Sequence, residues 1–349
     1  MVAIPQPSKT ALKAVDAAIE AEQSRSPGRF HLGASIIKKE CERELWYVFR
    51  WALMVLHSAR LLRLFNRGQL EEDRFNYWLK AAGFQVWDVD PDTGQQWRIE
   101  YVGGHFGGSL DGVLIGLPEL PDEPHVSEQK THNDKSFKDV EKKGVKESKP
   151  THYGQMQIYM HGMGINHALY QAINKNNDDL YFERVEYDQP EAERLLKKAE
   201  RIIASDRPRE RISTDASWYQ CKFCDFHPVC HGRKAPAANC RTCVHSTPRM
   251  DGNARWFCEK SERDLSPEDQ KQACPSHTFI PPMLDHFAEP LDAHGDNVVY
   301  LNKLNQREFT NGPAGYSSAE IAAVKDVAII GDEVTDMLKA EFEGAELIG

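Results

Sequence analysis

Nowhere in its 349 residues does the chain hold the uninterrupted run of about 20 apolar residues that a helical bilayer span requires, so no membrane partner is expected. The opening stretch MVAIPQPSKTALKAVDAAIEAEQ lacks the basic start and apolar core of a secretory signal, which makes the cytoplasm the expected location. Positive charge is in short supply too: 43 Lys and Arg stand against 53 Asp and Glu, a formal net charge of -10. That balance argues against a protein that coats nucleic acid non-specifically, an affinity made mostly of phosphate neutralisation, and leaves room for a local basic groove. Cysteine is missing from almost the whole chain. Of the eight, seven fall between Cys221 and Cys274, and Cys41 stands alone. In a reducing compartment such bunching weighs against disulfides and scattered core thiols and points to ligands.

What is present suffices for one large core or two modest ones. Helical spacing covers 11–22 and ends at the turn SRSPG. It returns in IIKKECERELWYVFRWALMVLHSARLLRLF as one long helix or two, is punctuated by Gly68, and runs again through QLEEDRFNYWLKAAG to Gly83. Four short β-like runs follow, FQVWDV, QWRIEYV, SLDGVLIG and HVSEQK, set apart by Pro, Asp and Gly turns. The lysine-rich segment from Thr131 to Pro150 reads as a loop with some helix. THYGQMQIYMHGMG reads as a helix, NHALYQAI and LYFERVEY as strands around the turn NKNNDD, and PEAERLLKKAERIIA as a helix with Pro190 in its first turn. The order predicts an α/β core. Beyond it, 218–282 is too rich in Cys, Pro and His for a large apolar core, and metal ligation is the natural substitute. The tail offers a strand-like VVYLNKL, a turn at TNGPAG and one helix-like stretch over 317–342.

The sharpest chemical signal lies in SLDGVLIG and HVSEQK. Residues two apart on a strand share a face, so Glu128 and Lys130 project together while the Gln129 side chain points away, and a turn between neighbouring strands brings Asp111 beside Glu128. The backbone carbonyl of Gln129 also faces this site. Asp and Glu oxygens suit Mg²⁺ or Mn²⁺, and such a cation polarises a phosphoryl oxygen and makes hydroxide available at neutral pH. A lysine beside it orients the attacking water and offsets developing negative charge. The bland alternative is a solvated strand face with alternating charges.

With its surroundings, this pattern resembles the PD-(D/E)XK nuclease superfamily, in particular its RecB-like and phage-lambda-exonuclease-like branches. GQLEE matches the family's Gly-x-x-x-Glu helix with Gly68 and Glu72, Glu71 being the neighbouring alternative. HYGQMQIYM matches its Gln-x-x-x-Tyr helix with Gln155 and Tyr159. Ser109-Leu110 stands before Asp111 where the superfamily name has Pro. The resemblance covers about residues 35–232. It implies a restriction-endonuclease-like α/β core with a mixed central sheet flanked by helices. It also implies a catalytic set of Asp111, Glu128, Lys130 and Glu72, with Mg²⁺ or Mn²⁺ held by Glu72, Asp111, Glu128 and the Gln129 backbone, and substrate contacts from Gln155 and Tyr159. His105, in GGHFGGSLDG, is a further candidate for reaching the substrate.

CKFCDFHPVC supplies Cys221, Cys224 and Cys230, three thiols in want of a fourth ligand, for which His227, His231 and Cys41 all qualify. The resemblance favours Cys41. In the CRISPR-associated RecB-like exonucleases and the AddB subunit of break-processing complexes, one upstream cysteine joins three in this spacing around a 4Fe-4S cluster; zinc is the alternative for an all-thiolate site. The second set, Cys240, Cys243, Cys258 and Cys274, has the knuckle-plus-two spacing of a structural zinc ribbon, with His245 and His277 as spare ligands. Arg241, Arg249, Arg255 and Trp256 in this module allow nucleic-acid contact, though packing is the preferred reading for them. The expected organisation is an N-terminal extension (1–34), a nuclease core closed by a four-cysteine cluster (35–232), a zinc-ribbon-like module (233–285) and a C-terminal strand and helical tail (286–349). The expected activity is a metal-dependent DNA exonuclease acting at ends or on single strands in phage or mobile-element recombination or repair, alongside a single-strand annealing or recombination protein. A structure-selective or nicking endonuclease, and a non-catalytic metal-stapled DNA-binding protein, are the alternatives.

Overall fold

The computed structural model describes residues 10–25, 29–342 and 345–347. Helix α1 (Thr10–Arg25) is followed by the two-residue strand β1 (Leu32–Gly33) and helices α2 (Glu42–Phe49) and α3 (Ala59–Ala81). Strands β2 (Gln85–Trp87), β3 (Arg98–Tyr101), β4 (Phe106–Ser109), β5 (Gly112–Ile115) and β6 (His125–His132) come next, then helices α4 (Asp134–Ser148) and α5 (Pro150–Met163). Strands β7 (His167–Asn174) and β8 (Leu180–Glu186) lead to helix α6 (Gln189–Ala204). The rest holds the short helices α7 (Tyr219–Lys222) and α8 (His227–Cys230), strands β9 (Ser246–Pro248), β10 (Trp256–Cys258) and β11 (Arg263–Leu265), and helix α9 (Pro267–Gln270). Strands β12 (Ala288–His294), β13 (Asn297–Asn302) and β14 (Arg307–Asn311) and helices α10 (Ser318–Ala323) and α11 (Glu333–Glu341) complete the order. Among the described residues no helix is long and apolar enough to cross a membrane. The expected SRSPG turn runs into 26–28, outside the described residues.

The chain divides into two compact units, the first made of 1–29, 55–99 and 108–195, the second of 30–54, 100–107 and 196–349. The first unit is built on a mixed five-stranded sheet in the order β2-β5-β6-β7-β8. Only β6 and β7 run parallel, in register from His125↔His167 to His132↔Asn174, and α4 and α5 form the crossover that parallel strands require. Helices cover both faces of β6. On the odd-numbered face Gln129 Nε2 donates to Asn76 Oδ1 of α3 at 2.8 Å, and Leu79 of the same helix packs with Val86, Leu114, Leu117 and Leu169. The even-numbered face carries Glu128, Lys130 and His132 and meets α5 through Tyr170.

Three expectations about the helices change. Gly68 does not punctuate: α3 runs through it, because its position has open space around it and one helical glycine costs only about 1 kcal/mol. The preceding helical pattern breaks earlier, over 50–58, where Trp51 takes a positive φ of 53° and Ser58 caps α3 by accepting the Leu61 N–H. The lysine-rich segment is not a loop. Asn133 caps α4, and Phe137, Val140 and Val145 are its buried stripe. The helix swerves at Gly144 (φ 73°, ψ 169°), where a Cβ would sit 3.1 Å from Glu183 Oε1, and Glu183 Oε2 instead accepts the freed Val145 N–H at 2.7 Å.

The second unit contains β1 paired in parallel with β4, the small antiparallel sheet β11-β10-β9, and the antiparallel sheet β12-β13-β14. Its core gathers Trp46, Tyr47 and Phe49 of α2 with Phe226 and Trp256, all buried. The expected tail helix is two helices, α10 and α11, interrupted around Asp326 and Gly331, and β12 extends the foreseen strand into a sheet.

Candidate active site

The site begins where a strand ends. Strand β5 pairs with β6 only from Gly112↔Ser127 to Leu114↔His125, so beyond Ser127 that side of β6 has no strand beside it among the described residues. Asp111, one residue before β5, fills the gap with its carboxylate: the Gln129 N–H donates to Asp111 Oδ2 at 2.7 Å. The Lys130 ammonium donates to the Gln129 carbonyl at 3.0 Å, lies 3.5 Å from Asp111 Oδ2, and pairs with Glu128 Oε1. One cationic nitrogen therefore stands among oxygens from Asp111, Glu128 and the Gln129 backbone. Glu128 is fully buried, and its Oε2 has no hydrogen-bond donor among the described residues.

Electrostatics tie Glu72 of α3 to the same place. Burial, then the nearby Asp111 carboxylate, pushes its carboxyl up to about 7 against the pull of Lys130. Burial likewise pushes Glu128 up to about 8, with Asp111 and Glu72 adding to the shift and Lys130 opposing it. For Lys130 burial works against the charge, but the Asp111 and Glu128 carboxylates outweigh it and hold the ammonium above its ordinary range. The alternative Glu71 is buried and occupied elsewhere, accepting both contacts of Arg74 at 2.7 and 2.9 Å.

Gln155 and Tyr159 lie one turn apart on α5, and Gln155 Nε2 donates to Tyr159 Oη at 3.0 Å. Both are buried, and burial followed by the Glu128 charge raises the Tyr159 phenol above its ordinary value. A Cβ at Gly108 would meet Tyr159 Oη at 2.7 Å, so a glycine in β4 is what lets this tyrosine take its place. Sequence reasoning passed over Gly108, His132 and Tyr170. His132 was within reach of the strand rule as the next even-numbered side chain after Lys130. Tyr170 needed the β6–β7 register, which sets it opposite Glu128.

His105 belongs to the second unit and is fully buried there, edge-on to Phe49 and Trp256, with Nε2 2.9 Å from the Arg249 carbonyl. Burial drives its pKa down to about 4, and it has no surface left for a substrate. Arg241 and Trp256 are buried as well. The Arg241 guanidinium stacks 3.7 Å from the Trp51 ring centroid and donates to Gln270 Oε1 and to the carbonyls of Phe30 and Phe49.

In the second unit Cys41, Cys221, Cys224 and Cys230 line one cavity, together with Arg43, Arg211, His227 and His231. Cys41 caps α2, its Sγ accepting the Glu44 N–H at 3.4 Å. Cys224 is pushed up to about 12 by burial, with Glu44 and Cys41 adding to it, and burial raises Cys221 and Cys230 too. In the second set burial pushes Cys240 up to about 12, and Cys243, Cys274 and Cys258 each reinforce the shift. Burial opposes ionisation of Cys258 as well, but hydrogen bonds from Ser261 and the Lys260 amide outweigh it and leave the thiol below its ordinary value. His245 faces Asp296 at 3.3 Å, and His277 Nε2 lies 2.9 Å from the Asn239 carbonyl. Among the described residues no three His, Cys, Asp or Glu side chains stand in a geometry that holds a metal ion.

No family model matches the chain, and no curated protein matches it. Among solved structures, LHK-Exo in complex with dAMP is 18% identical with a TM-score of 0.35, over 50% of this chain and 86% of that one. The protein SSO0001 is 16% identical with a TM-score of 0.38, over 64% of this chain and 96% of that one. A further structure, an alkaline exonuclease (LHK-Exo) from Laribacter hongkongensis, is 16% identical with a TM-score of 0.35, over 55% and 91%.

Proposed function

We propose that the chain is a divalent-metal-dependent deoxyribonuclease of the PD-(D/E)XK kind, and that it acts as an exonuclease at DNA ends or on single strands. The observation that carries this reading is the cation among oxygens: the Lys130 ammonium stands where Asp111, Glu128 and the Gln129 carbonyl converge. Asp111 and Glu128 meet the ammonium there, Glu72 is coupled to it electrostatically, and the Glu72 and Glu128 carboxyls are pushed toward neutral pH by burial, then by repulsion from the neighbouring carboxylates. A gathering of hard carboxylate oxygens, with one Glu128 oxygen lacking a donor among the described residues, is the donor chemistry that Mg²⁺ or Mn²⁺ satisfies.

Asp111, Glu128, Glu72 and the Gln129 carbonyl would hold the ion, which supplies Lewis acidity toward a phosphoryl oxygen when bound. Lys130 then orients the attacking water and offsets charge gathering on the phosphate. Gln155 and Tyr159 donate to phosphate oxygens and fix the strand being cut. Hydrolysis of end-labelled single- and double-stranded linear DNA, run beside closed circular DNA with Mg²⁺ or Mn²⁺, tests the reading. Cleavage of linear substrates alone is the expected result. Cut circles would favour the endonuclease, and intact DNA throughout would leave a binding protein.

For the cysteines the same reading assigns a 4Fe-4S cluster, with zinc as the alternative, to Cys41, Cys221, Cys224 and Cys230. It assigns structural zinc to Cys240, Cys243, Cys258 and Cys274. Support comes from the common cavity of the first set and the mutual electrostatic reinforcement in the second. Metal analysis and visible absorption of anaerobically purified protein decide both. Colourless protein with no iron would remove the cluster, and metal content unchanged by Cys240→Ser would remove the zinc site.

A further inference from the structure

On the face of β6 that carries Glu128 and Lys130, the next side chain is His132, and it opens a chain of hydrogen bonds that leaves the strand. Ser136 Oγ lies 3.0 Å from His132 Nδ1, His132 Nε2 lies 2.7 Å from Tyr170 Oη, and the same hydroxyl lies 3.0 Å from His152 Nδ1. His132 and Tyr170 are buried, and the two imidazoles stack with centroids 5.9 Å apart. His152 stands three residues before Gln155 and seven before Tyr159 on α5, a spacing that puts all three on one face. Its Nε2 makes no hydrogen bond among the described residues and is not sealed from water.

The chain has a proton count. Burial holds both imidazoles neutral: His132 falls to about 4, His152 goes well below its ordinary value, and Lys130 and Lys149 reinforce both shifts. A phenol has one proton to give, so between two neutral imidazoles Tyr170 donates to one and accepts from the other. If it donates to His152 Nδ1, His152 keeps its own proton on Nε2. His132 then donates from Nε2 to Tyr170 and accepts the Ser136 hydroxyl proton on Nδ1. The reverse polarity leaves His152 with a bare Nε2 lone pair, which repels an anionic oxygen. In the proposed function Gln155 and Tyr159 on the same face donate to phosphate, and an anion there selects the first polarity.

We propose that His152 is a third substrate-contacting residue of the α5 face, donating Nε2–H to a DNA phosphate oxygen, with its tautomer set by the Ser136–His132–Tyr170 chain. The phosphate as ligand, and with it the choice of polarity, rests on the nuclease reading; the hydrogen-bond chain that holds His152 in a single tautomer does not. Long-range ¹H–¹⁵N correlation on the full chain labelled at histidine reads the tautomer directly, with the His152 signal identified by its loss in His152→Gln. The expected signal has the proton on Nε2, and Tyr170→Phe removes that preference. A proton on Nδ1 overturns the proposal.

Binding is read by the anisotropy of a fluorescein-labelled single-stranded oligonucleotide, in an Asp111→Asn background that keeps the DNA intact. His152→Phe is expected to weaken Kd about tenfold, the scale of one hydrogen bond to a charged group. His152→Gln, which returns an N–H near the Nε2 position, restores most of it. An unchanged Kd in His152→Phe overturns the proposal. A parent chain that binds with this sensitivity yet cuts no DNA would sink the nuclease reading and leave the His152 assignment standing; a parent chain that binds no oligonucleotide overturns both.

Discussion

Lys130 in the first unit and Arg241 in the second are both cations drawn out of water, and they are held in opposite ways. Among the described residues no carboxylate pairs with Arg241. Its guanidinium lies on Trp51, and the neutral oxygens of Gln270, Phe30 and Phe49 take its N–H groups. Burial, with Arg50 nearby, pulls its pKa well down. Lys130 instead faces more than one carboxylate, and Glu72 and Glu128 are raised by burial first and by the neighbouring carboxylates after it. A cation whose N–H groups are taken by neutral oxygens and whose plane lies on a ring is a fixture of the core. A cation among several carboxylates is where the proposed function puts a second, divalent cation.

The largest effect that would break this comparison is on cleavage. Lys130→Ala or Glu128→Gln should lower the rate of DNA hydrolysis by roughly 10³-fold, the scale of losing a preorganised charged group, while circular dichroism stays that of the parent. Retained cleavage in both would remove Lys130 from function and make it a second Arg241. Next comes the fixture itself. Arg241→Met strips the donors from three buried acceptors and should cost about 3 kcal/mol or more in urea unfolding. A neutral or stabilising result would mean that the ring stacking contributes little.

The raised carboxyls also have a pH signature. Glu72 and Glu128 have folded values of about 7 and about 8, above their ordinary 4.5, so the folded state binds more protons than the unfolded one across that window. The metal-free protein should therefore lose stability as pH rises from 4.5 toward 8, and Mg²⁺ should raise Tm more at pH 8 than at pH 6. Glu128→Gln should flatten the trend, and a Tm gain independent of pH would contradict it. The smallest effects separate two glycines. Gly108→Ala drives a Cβ into Tyr159 Oη and should slow cleavage about tenfold, whereas Gly68→Ala meets nothing and should stabilise α3 by about 0.5–1 kcal/mol.

What was legible in the sequence follows from periods. The two-residue repeat of a strand fixes Glu128 and Lys130 on one face and Gln129 on the other without reference to any other part of the chain. The helical spacing of Gln155 and Tyr159 is equally local. His105 was misread because burial is decided by distant residues: its wall comes from Phe49 and Trp256, far off in the chain. The 131–150 segment was misread for the reverse reason, since many exposed lysines mask a three-residue apolar stripe that suffices to seat a helix. Tyr170 depends on the pairing register of two strands separated by two helices, and no window of sequence contains that. Trp51 turns the chain with a positive φ that its residue type does not announce.

The early end of β5 has one more result. It leaves the 128–132 half of β6 as a sheet edge, and an unpaired edge is where separate molecules join by adding strands. Asp111 occupies the Gln129 amide on that edge and Lys130 the Gln129 carbonyl, so an added strand would have to displace both charged groups before it could pair there. Removing both charges should therefore yield a protein that is not only silent but aggregation-prone, and its loss from the soluble fraction would measure solubility rather than folding.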